Sequence, residues 1–424
     1  MTSRERVRLA IQHREPDRVP LDLGATPVTG IAASTYAKLR QALGFAPTPV
    51  KVWEPFQILA EVELEVLQKL GVDVIGLNSP VTMFGYRNEN WKPWKLFDGT
   101  EVLVGEKFVV REDEKGDILI YPQGDTSVSP SGRLPKGGFY FDAIIRQQPI
   151  DEAHLDPQEF AEQYTLYTDE DLEYFQRTVD QLYYNTDLSI VGGFWQGGFG
   201  DIAQVPGPGL KHPKGIRDPQ EWYIAHVTHP NYIYEIFAIQ CEVALENLKL
   251  YYQAVGDKID VIVVSGTDFG AQHAAFISPD MYRQLYKPFH QQLNDWIHAN
   301  TPWKVFFHSC GSVVDFLDDF IDVGVDILNP VQCSAAGMDP MWLKENYGDK
   351  LVFWGGGVDT QKTLPFGTPD QVRREVADRI RIFAPGGGFV FNTIHNIQQG
   401  TPVENLLAMY ETVKERGQYP IVNN

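Results

Sequence analysis

The chain has 424 residues, 43% of them hydrophobic and 12% aromatic, so it can bury a large core and is not a disordered protein. Its formal net charge of −20 argues against nucleic acid as a partner and disfavours a bulk anionic substrate. No run of about eighteen apolar residues occurs and residues 1–14 are charged throughout. We therefore expect no membrane partner, no secretory signal and a cytoplasmic location. The three cysteines are too few for a disulfide framework and suit a reducing compartment.

Short apolar runs of strand length recur along the chain and are separated by segments with helical spacing. The predicted strands cover residues 19–23, 72–77, 188–194, 259–265, 304–308, 325–329, 351–355 and 389–393. Because these runs are apolar throughout rather than alternating, they predict a parallel sheet covered by helices. Eight strand and helix units favour an α/β fold of the (β/α)₈ TIM-barrel type, with residues 1–424 forming one domain, over an open doubly wound sheet.

Four helix starts are predicted from capping patterns. Three have a polar residue followed by proline, and the fourth is a capping box: Ser278-Pro279, Asp339-Pro340, Thr368-Pro369, and Thr401 with Glu404. After Ser278-Pro279, apolar residues recur at every fourth position: Leu285, Phe289, Leu293 and Ile297. This spacing predicts one long amphipathic helix.

Residues 83–141 depart from the strand and helix alternation. Short alternating pieces at residues 101–104, 107–111 and 117–121 are separated by the turn signals Asp98-Gly99, Lys115-Gly116 and Gly137-Gly138. This pattern predicts an antiparallel β insertion after the second strand. Loops that follow barrel strands build the active-site face, so we expect the insertion to cover the barrel mouth. A peripheral hairpin that packs on helices is the alternative.

Polar residues cluster where the predicted strands end. In chain order they are Asp22, Asn78, Trp195, Gln196, Asp268, His308, Cys310, Cys333, Asp359 and His395. The carboxyl ends of barrel strands are where barrel enzymes keep their catalytic groups. The sequence therefore predicts a site at this face.

His308 and Cys310 form the most specific pair. Alternate side chains of a strand point to the same face, so the imidazole and the thiol project side by side at the end of the fifth predicted strand. Two such groups suit a soft metal ion such as zinc. A buried histidine beside a structural cysteine is the alternative.

Several motifs of the chain resemble the uroporphyrinogen decarboxylase superfamily, which includes zinc methyltransferases that act on methylated corrinoid proteins. The motifs are Arg4-Glu5-Arg6-Val7, Pro16-Asp17-Arg18-Val19-Pro20, Phe276-Ile277-Ser278-Pro279, His308-Ser309-Cys310-Gly311, Asn329-Pro330, Trp354-Gly355-Gly356-Gly357-Val358-Asp359, Ala384-Pro385-Gly386-Gly387-Gly388 and Thr401-Pro402-Val403-Glu404-Asn405. The resemblance covers most of the chain and implies a barrel fold.

Departures from the family patterns separate its branches. The decarboxylases carry an arginine-rich motif near the amino terminus and an aspartate after the second strand. Here the corresponding stretches read Leu21-Asp22-Leu23-Gly24-Ala25-Thr26 and Asn78-Ser79-Pro80. These differences disfavour porphyrinogen decarboxylation. The methyltransferase branch binds zinc through His-x-Cys and a later cysteine, for which this chain has Gly387.

The third zinc ligand is left open between two residues. Cys333 follows the adjacent sixth strand, and neighbouring strands run about 4.8 Å apart, so its loop can converge with Cys310 on one ion. His395 follows the eighth strand and resembles a pocket histidine of the decarboxylases. We favour Cys333 as the ligand, together with His308 and Cys310, and His395 as a catalytic pocket residue.

Further roles follow from the position of each residue near the predicted mouth. Asp268 could hold a substrate hydroxyl, act as a base or orient His308, although an N-cap or turn role is equally consistent. Asp359 has the same two interpretations. The residues assigned to substrate binding are Asp22, Asn78, Trp195, Gln196, Gln272 and Asp359.

The resemblance implies methyl transfer between a small methylated methoxy, amine or thiol compound and a corrinoid, assisted by zinc. No histidine lies in the Asp-x-His-x-x-Gly pattern of a lower cobalt ligand, so we expect a separate corrinoid protein as the partner. Two alternatives remain: a lyase that decarboxylates a non-porphyrin substrate, and a barrel that binds a ligand or corrinoid protein without turnover. The donor, the acceptor, the direction of transfer and a homodimer all stay open.

Overall fold

The structure is a computed structural model, and it describes residues 1–422. Its helices are α1 (Ser3–Ala10), α2 (Ala33–Ala42), α3 (Leu64–Leu70), α4 (Pro157–Ala161), α5 (Asp169–Asn185), α6 (Pro219–Thr228), α7 (Pro230–Val255), α8 (Pro279–Leu285), α9 (Lys287–Asn300), α10 (Leu317–Asp322), α11 (Pro340–Tyr347), α12 (Thr363–Phe366), α13 (Pro369–Phe383) and α14 (Val403–Arg416). Its strands are β1 (Val50–Glu54), β2 (Leu59–Ala60), β3 (Val74–Leu77), β4 (Lys92–Lys95), β5 (Glu101–Val104), β6 (Val110–Glu112), β7 (Ile118–Ile120), β8 (Gly132–Leu134), β9 (Asp142–Ala143), β10 (Ser189–Gly193), β11 (Val261–Ser265), β12 (Lys304–His308), β13 (Ile327–Asn329), β14 (Val352–Trp354) and β15 (Phe389–Val390).

A curled sheet of seven parallel strands forms the centre of the molecule, in the order β15-β14-β13-β12-β11-β10-β3. Each strand lies within one of the apolar runs predicted from the sequence. Strands β10 and β11 are buried at every position, which explains their apolar composition on both faces. The predictions of a mixed α/β fold and of a parallel sheet are confirmed.

The first predicted strand, residues 19–23, does not form a regular strand. Its backbone nevertheless contacts both edges of the sheet, because Phe391 donates to the Pro20 carbonyl while Asp73 donates to that of Leu21, each at 2.8 Å. Pro20 has no N–H, and the N–H of Leu21 donates to the Asp73 carboxylate at 2.9 Å. A regular ladder therefore cannot form, and one isolated parallel bridge, from Leu21 to Phe391, remains.

The helix starts at Asp339, Thr368 and Ser278 are confirmed, since each side chain accepts a backbone N–H of the first turn. Two details were wrong. The stretch after Ser278 is two helices, α8 and α9, because Pro288 has no N–H to continue the first one. The capping box at Thr401 is absent: the N-cap of α14 is Pro402, and the Thr401 hydroxyl donates to the carbonyl of Gln398.

Two small sheets precede α5, and they correspond in part to the predicted β segment. Strands β6, β7, β8 and β9 form an antiparallel sheet, with Gly116 and Gly137 in the left-handed turns that the sequence predicts. In the other sheet, β2-β1-β5-β4, strand β5 and the left-handed turn at Gly99 were predicted, whereas β1, β2 and β4 were not. The sheet recruits β1 and β2 from residues before the segment, and β1 pairs with β5 in parallel. This sheet is therefore not purely antiparallel.

The helices of the described chain pack around the central sheet and complete the core. Helix α7 is buried along one face, as are the apolar positions of α9 and α13. No helix among residues 1–422 is long and apolar enough to span a membrane.

Candidate metal-binding active site

Three side chains from the ends of two strands converge at the carboxyl end of the sheet. The ligand atoms of His308, Cys310 and His395 all lie within 4.8 Å of one another. His308 ends β12, Cys310 lies two residues further on, and His395 follows β15. In the part of the chain that the structure describes, these residues form the one group of three potential metal ligands. The parallel sheet brings them together because all its strands end at the same face.

The register between β12 and β13 fixes the tautomer of His308. His308 pairs with Asn329, whose Oδ1 lies 2.6 Å from Nδ1 of the imidazole. The amide is itself oriented, since Nδ2 of Asn329 donates to the Trp354 carbonyl at 2.7 Å. Nδ1 of His308 must therefore carry the proton, and Nε2 presents its lone pair to the site. The sequence motif Asn329-Pro330 gave no sign of this role.

Nε2 of His308 faces the thiol of Cys310. The two atoms are 3.3 Å apart, so the thiol donates to the imidazole nitrogen. Burial lowers the pKa of His308 to about 4, although the hydrogen bond to Asn329 acts in the opposite direction. Burial and then the nearby Asp268 raise the pKa of Cys310 well above its usual value. A neutral imidazole and a protonated thiol are thus the favoured states of this pair.

His395 completes the cluster from the loop after β15. Its ring lies at 71° to the His308 ring, with 5.4 Å between the centroids. Burial, followed by the neighbouring His308, lowers the pKa of His395 to about 4. Its imidazole is therefore neutral near pH 7 and can act as a metal ligand.

The structure changes the expectation for the third metal ligand. Cys333 is not part of the cluster; its thiol donates to the carbonyl of Val331 at 3.4 Å, and burial raises its pKa to about 11. Gly387, which the resemblance aligned with a ligand, precedes β15 and lies at the opposite end of the sheet against Arg14. His395 follows β15, so it lies at the carboxyl end of that strand, as His308 and Cys310 do on β12.

Asp268 borders the cluster and remains accessible. Its Oδ1 accepts the Cys310 backbone N–H at 2.5 Å and lies 3.8 Å from Nε2 of His308. The side chain is 33% exposed, yet desolvation raises its pKa. A carboxylate that is partly exposed and yet desolvated is a common feature of functional sites.

The backbone that carries Cys310 is held on both sides. Besides the bond from Cys310 to Asp268, the N–H of Gly311 donates to Oε1 of Gln332 at 2.8 Å. Gln332 in turn donates to Oε1 of Gln272 at 2.9 Å. Gln272, predicted to bind substrate, therefore connects the loops after β11 and β13.

The remaining predicted substrate-binding residues take mainly structural positions. Both oxygens of Asp22 are engaged, by the Trp354 indole at 2.8 Å and by the N–H of Ala25 at 3.2 Å; burial raises its pKa to about 6. Asn78 donates to the Ala25 carbonyl at 3.3 Å, and its buried Oδ1 has no partner among residues 1–422.

Side-chain oxygens of Gln196 and Asp359 accept hydrogen bonds from residues outside the cluster. Oε1 of Gln196 accepts from Asn247 of α7 at 2.8 Å. Oδ1 of Asp359 accepts the backbone N–H groups of Gln361 and Lys362 at 2.6 and 3.0 Å. This geometry corresponds to the turn role that the sequence left open for Asp359.

Trp195, in the loop after β10, has a left-handed backbone conformation, with φ of 56°. Its indole extends between the glycines that end β10 and follow β11: a Cβ on Gly193 would lie 3.1 Å from Nε1, and a Cβ on Gly266 would lie 2.9 Å from the ring. Small residues at both positions make room for the indole. A strained non-glycine residue is often found at a functional site.

Sequence reasoning missed two residues near Asp268. Asp201 lies in the loop after β10, and burial and then Asp268 raise its pKa to about 7. Tyr223 of α6 is influenced by both carboxylates, and burial raises its pKa to about 12. The glycines around Asp201 were a usable signal, because they let the loop approach the strand ends closely.

The parallel sheet and the ligand cluster at its carboxyl end define an α/β protein with a strand-end candidate site. Residues 214–416 match the family described as Uroporphyrinogen decarboxylase (URO-D). A uroporphyrinogen decarboxylase from Pelodictyon phaeoclathratiforme is 28% identical over 148 residues, which are 34% of this chain and 39% of that protein. Residues 214–416 therefore carry the similarity to the uroporphyrinogen decarboxylase family.

Two further similarities involve methyltransferases. A methylated-thiol–coenzyme M methyltransferase from Methanosarcina mazei is 25% identical over 192 residues, 40% of this chain and 48% of that protein. A solved methyltransferase from Methanosarcina mazei shares the fold, with a TM-score of 0.54 and 18% identity over 98% of this chain and 99% of that chain. The chain thus spans less than half the length of the curated relatives it matches.

Proposed function

We propose that this protein is a zinc-assisted methyltransferase that moves a methyl group between a small methylated compound and a corrinoid carried by a separate protein. The observation that carries the proposal is the convergence of His308, Cys310 and His395, whose ligand atoms lie within 4.8 Å of one another at the strand ends. The similarity to a methylated-thiol–coenzyme M methyltransferase supports the class of reaction.

The residues of the cluster fit zinc by their chemistry. Two imidazole nitrogens and one thiol are donors that zinc prefers, and three protein ligands leave a fourth position open, as in catalytic zinc sites. The proton on Nδ1 of His308, held by Asn329, directs the Nε2 lone pair toward Cys310. Bound zinc would lower the pKa of the Cys310 thiol and of an entering thiol or phenol.

Other residues at this face of the sheet have roles of their own. Asp268 is accessible and lies 3.8 Å from His308, so it can accept a proton released by an entering substrate. Trp195 provides an apolar wall, and Asn329 keeps His308 in the required tautomer. A dry wall and a fixed lone pair both favour displacement at a methyl carbon.

We further propose that the chain is one (β/α)₈ barrel with residues 83–141 covering its mouth. The segment follows β3 and contacts the loop that follows β10: Gln123 donates to the Gly209 carbonyl at 3.1 Å, and Lys211 pairs with Asp125 at 2.7 Å. Both loops start from the carboxyl end of the sheet. The backbone bonds of residues 20–22 to both sheet edges support a closed barrel.

Metal analysis of the purified protein tests the zinc site. We expect one zinc per chain in the wild type, and loss of most of it in the variants His308→Ala, Cys310→Ser and His395→Ala. Cys333→Ser is the matched control, because it removes a partly buried thiol outside the cluster, and it should retain the metal. Retention of zinc in His395→Ala together with loss in Cys333→Ser would contradict the ligand set. A wild type without zinc affinity would refute the site.

Methyl transfer is tested with free cobalamin in place of the partner's corrinoid. We expect methylation of reduced cobalamin by a methylated compound, or of a thiol by methylcobalamin, and loss of most of the rate in His308→Ala. Release of carbon dioxide from a carboxylated compound, without methyl transfer in either direction, would favour the decarboxylase alternative. Binding of a corrinoid protein without turnover would favour the non-catalytic one.

A further inference from the structure

Two carboxylates lie in neighbouring loops at the face of the sheet that carries the cluster. Asp268 borders the cluster from the loop after β11, and Asp201 lies in the loop after β10. A Cβ on Gly198 would lie 3.8 Å from Cβ of Asp201 and 3.7 Å from the backbone N of Gly266, which places Asp201 next to the loop that carries Asp268. Besides burial, the charge of Asp268 raises the pKa of Asp201.

One of the two carboxylate oxygens of Asp201 is free to bind a ligand. Its Oδ1 accepts the Ala203 backbone N–H at 3.0 Å, while its Oδ2 has no hydrogen-bond partner in the described part of the chain. The residue is partly exposed. This oxygen is available to a ligand.

No basic side chain in the described chain neutralises the two carboxylates. Neither forms an ion pair with Lys or Arg, and no Lys or Arg influences the pKa of Asp201, Asp268 or Tyr223. The buried carboxylate of Asp73, by contrast, pairs with Arg6 and Arg18. Two acids without a basic partner therefore lie close together at this face of the sheet.

Aromatic rings flank the carboxylates. Burial and then the charges of Asp268 and Asp201 raise the pKa of Tyr223. The Tyr223 ring stacks on Phe276, with 5.8 Å between ring centroids and 23° between planes. Trp195 lies against Gly266, two residues before Asp268. Aromatic faces and carboxylates both attract cations, and both oppose the entry of an anion.

We propose that Asp201, with Asp268, makes the site selective for a small thiol that carries an ammonium group, and that Asp201 is a specificity-determining residue. This inference rests on the proposed function. The ammonium group would interact with the free Oδ2 of Asp201, while the sulfur points toward the cluster. A carboxylate or sulfonate on the same thiol would be repelled by the ionised forms of these two acids.

The step is a methyl transfer that conserves atoms and electrons. A lone pair of the thiol sulfur forms the new sulfur–carbon bond, and the cobalt–carbon bond of the methylated corrinoid breaks with its electron pair remaining on cobalt. The thiol proton leaves to solvent, with Asp268 placed to receive it first. No oxidant or reductant is required.

Three thiols of similar length but different charge test the inference: cysteamine (cationic), 2-mercaptoethanol (neutral) and 3-mercaptopropionate (anionic). With methylcobalamin as donor, we expect the ratio of kcat/KM for cysteamine over 3-mercaptopropionate to fall about tenfold in Asp201→Asn, as for loss of one partly buried charge contact. The intrinsic reactivity of each thiol is the same with the wild type and with Asp201→Asn, so a change in the ratio measures the contribution of Asp201.

The variant and its control are matched. Asp201→Asn keeps an oxygen that can accept the Ala203 N–H. Asp98→Asn changes an exposed aspartate that accepts the Thr100 N–H in the β4–β5 turn, and it should leave the ratio unchanged. Calorimetric binding of the three S-methylated thiols to metal-free protein gives a second measurement that does not depend on turnover. We expect the cationic thioether to bind most tightly and to lose this advantage in Asp201→Asn.

The outcomes separate the two proposals. Thiol methylation with no charge preference, or with preference for 3-mercaptopropionate, would overturn the inference and leave the methyltransferase proposal standing. Absence of methylation with all three thiols would count against thiol methylation, and the thioether binding order would still decide the charge preference. An unchanged preference in Asp201→Asn would remove the role of Asp201.

Discussion

A single amide orients the central imidazole of the candidate site. Asn329 accepts from Nδ1 of His308 and donates to the Trp354 carbonyl, so it links three neighbouring strands. Such outer contacts commonly determine how well a histidine binds metal. The effect of Asn329 can therefore be measured separately from that of the ligands.

We predict that Asn329→Ala lowers zinc affinity about 10- to 100-fold, because His308 loses the bond that fixes its tautomer. Competition with a chelator measures the affinity. Asn300→Ala is the control, since Asn300 is an exposed residue that bonds to the carbonyl of Trp296 within α9. Equal affinities in the wild type and Asn329→Ala would show that the amide does not position the histidine.

Glu54 couples folding to pH at the level of one residue. It is buried in β1, and burial raises its pKa from 4.5 to about 7, although the N–H groups of Gln57 and Phe56 act to lower it. Because the folded protein holds the proton more tightly than the unfolded chain, the stabilisation is full below pH 4.5. It is lost as the pH rises through 7.

We predict that, because of Glu54, the free energy of unfolding falls by up to about 3 kcal/mol as the pH rises from 4.5 to 8. Glu54→Gln resembles the protonated acid, so the variant should show a smaller decline over that range. Urea unfolding at several pH values measures it. Glu101→Gln changes an exposed position of the same sheet and should keep the wild-type decline. Parallel curves for Glu54→Gln and the wild type would contradict the prediction.

At the scale of elements, the turn after β12 is fixed by a close approach between two loops. Gly311 has φ of +81°, and a Cβ there would lie 2.4 Å from the backbone carbon of Gly270. The adjacent Cys310 is thereby held next to Asp268. Only glycine allows this approach.

We predict that Gly311→Ala displaces the loop and removes most of the bound zinc, besides destabilising the fold by more than about 2 kcal/mol. Gly137→Ala is the matched control: its φ is +76°, but its Cβ would meet nothing within 4 Å. That variant should cost only about 1 kcal/mol, from backbone strain, and should keep the metal. Similar losses in both variants would show that the close approach is unimportant.

At the scale of the whole molecule, Asp73 joins segments that are distant in sequence. Its fully buried carboxylate accepts from Arg6 at 2.6 Å, from Arg18 at 2.7 Å and from the N–H of Leu21 at 2.9 Å. These contacts tie α1 and residues 17–21 to the start of β3. They compensate for the lack of a regular strand at residues 19–23.

We predict that Asp73→Ala destabilises the protein by about 3–5 kcal/mol, because it leaves two arginines without their buried partner. Chemical denaturation measures the loss. Asp98→Ala, at an exposed turn, should change stability by less than about 1 kcal/mol. A small effect at Asp73 would mean that the sheet edges are held by the backbone bonds alone.

The positions of the central strands could be predicted from the sequence because they depend on local composition. Buried parallel strands must be apolar on both faces, and the helices between them begin with recognisable caps. The failures have local reasons as well. Pro20 prevents a regular strand, and Pro288 divides a helix whose apolar spacing continues across the break.

The candidate site was only half determined by the sequence. His308 and Cys310 are two residues apart at the end of one strand, so their proximity follows from strand geometry alone. His395 lies 85 residues beyond Cys310, and only the tertiary arrangement of β12 and β15 decides that it, rather than Cys333, joins them. Distances between strand ends depend on the curvature of the sheet and on loop paths, which no local pattern records. The same holds for Asp201 and Asn329, whose partners come from other strands.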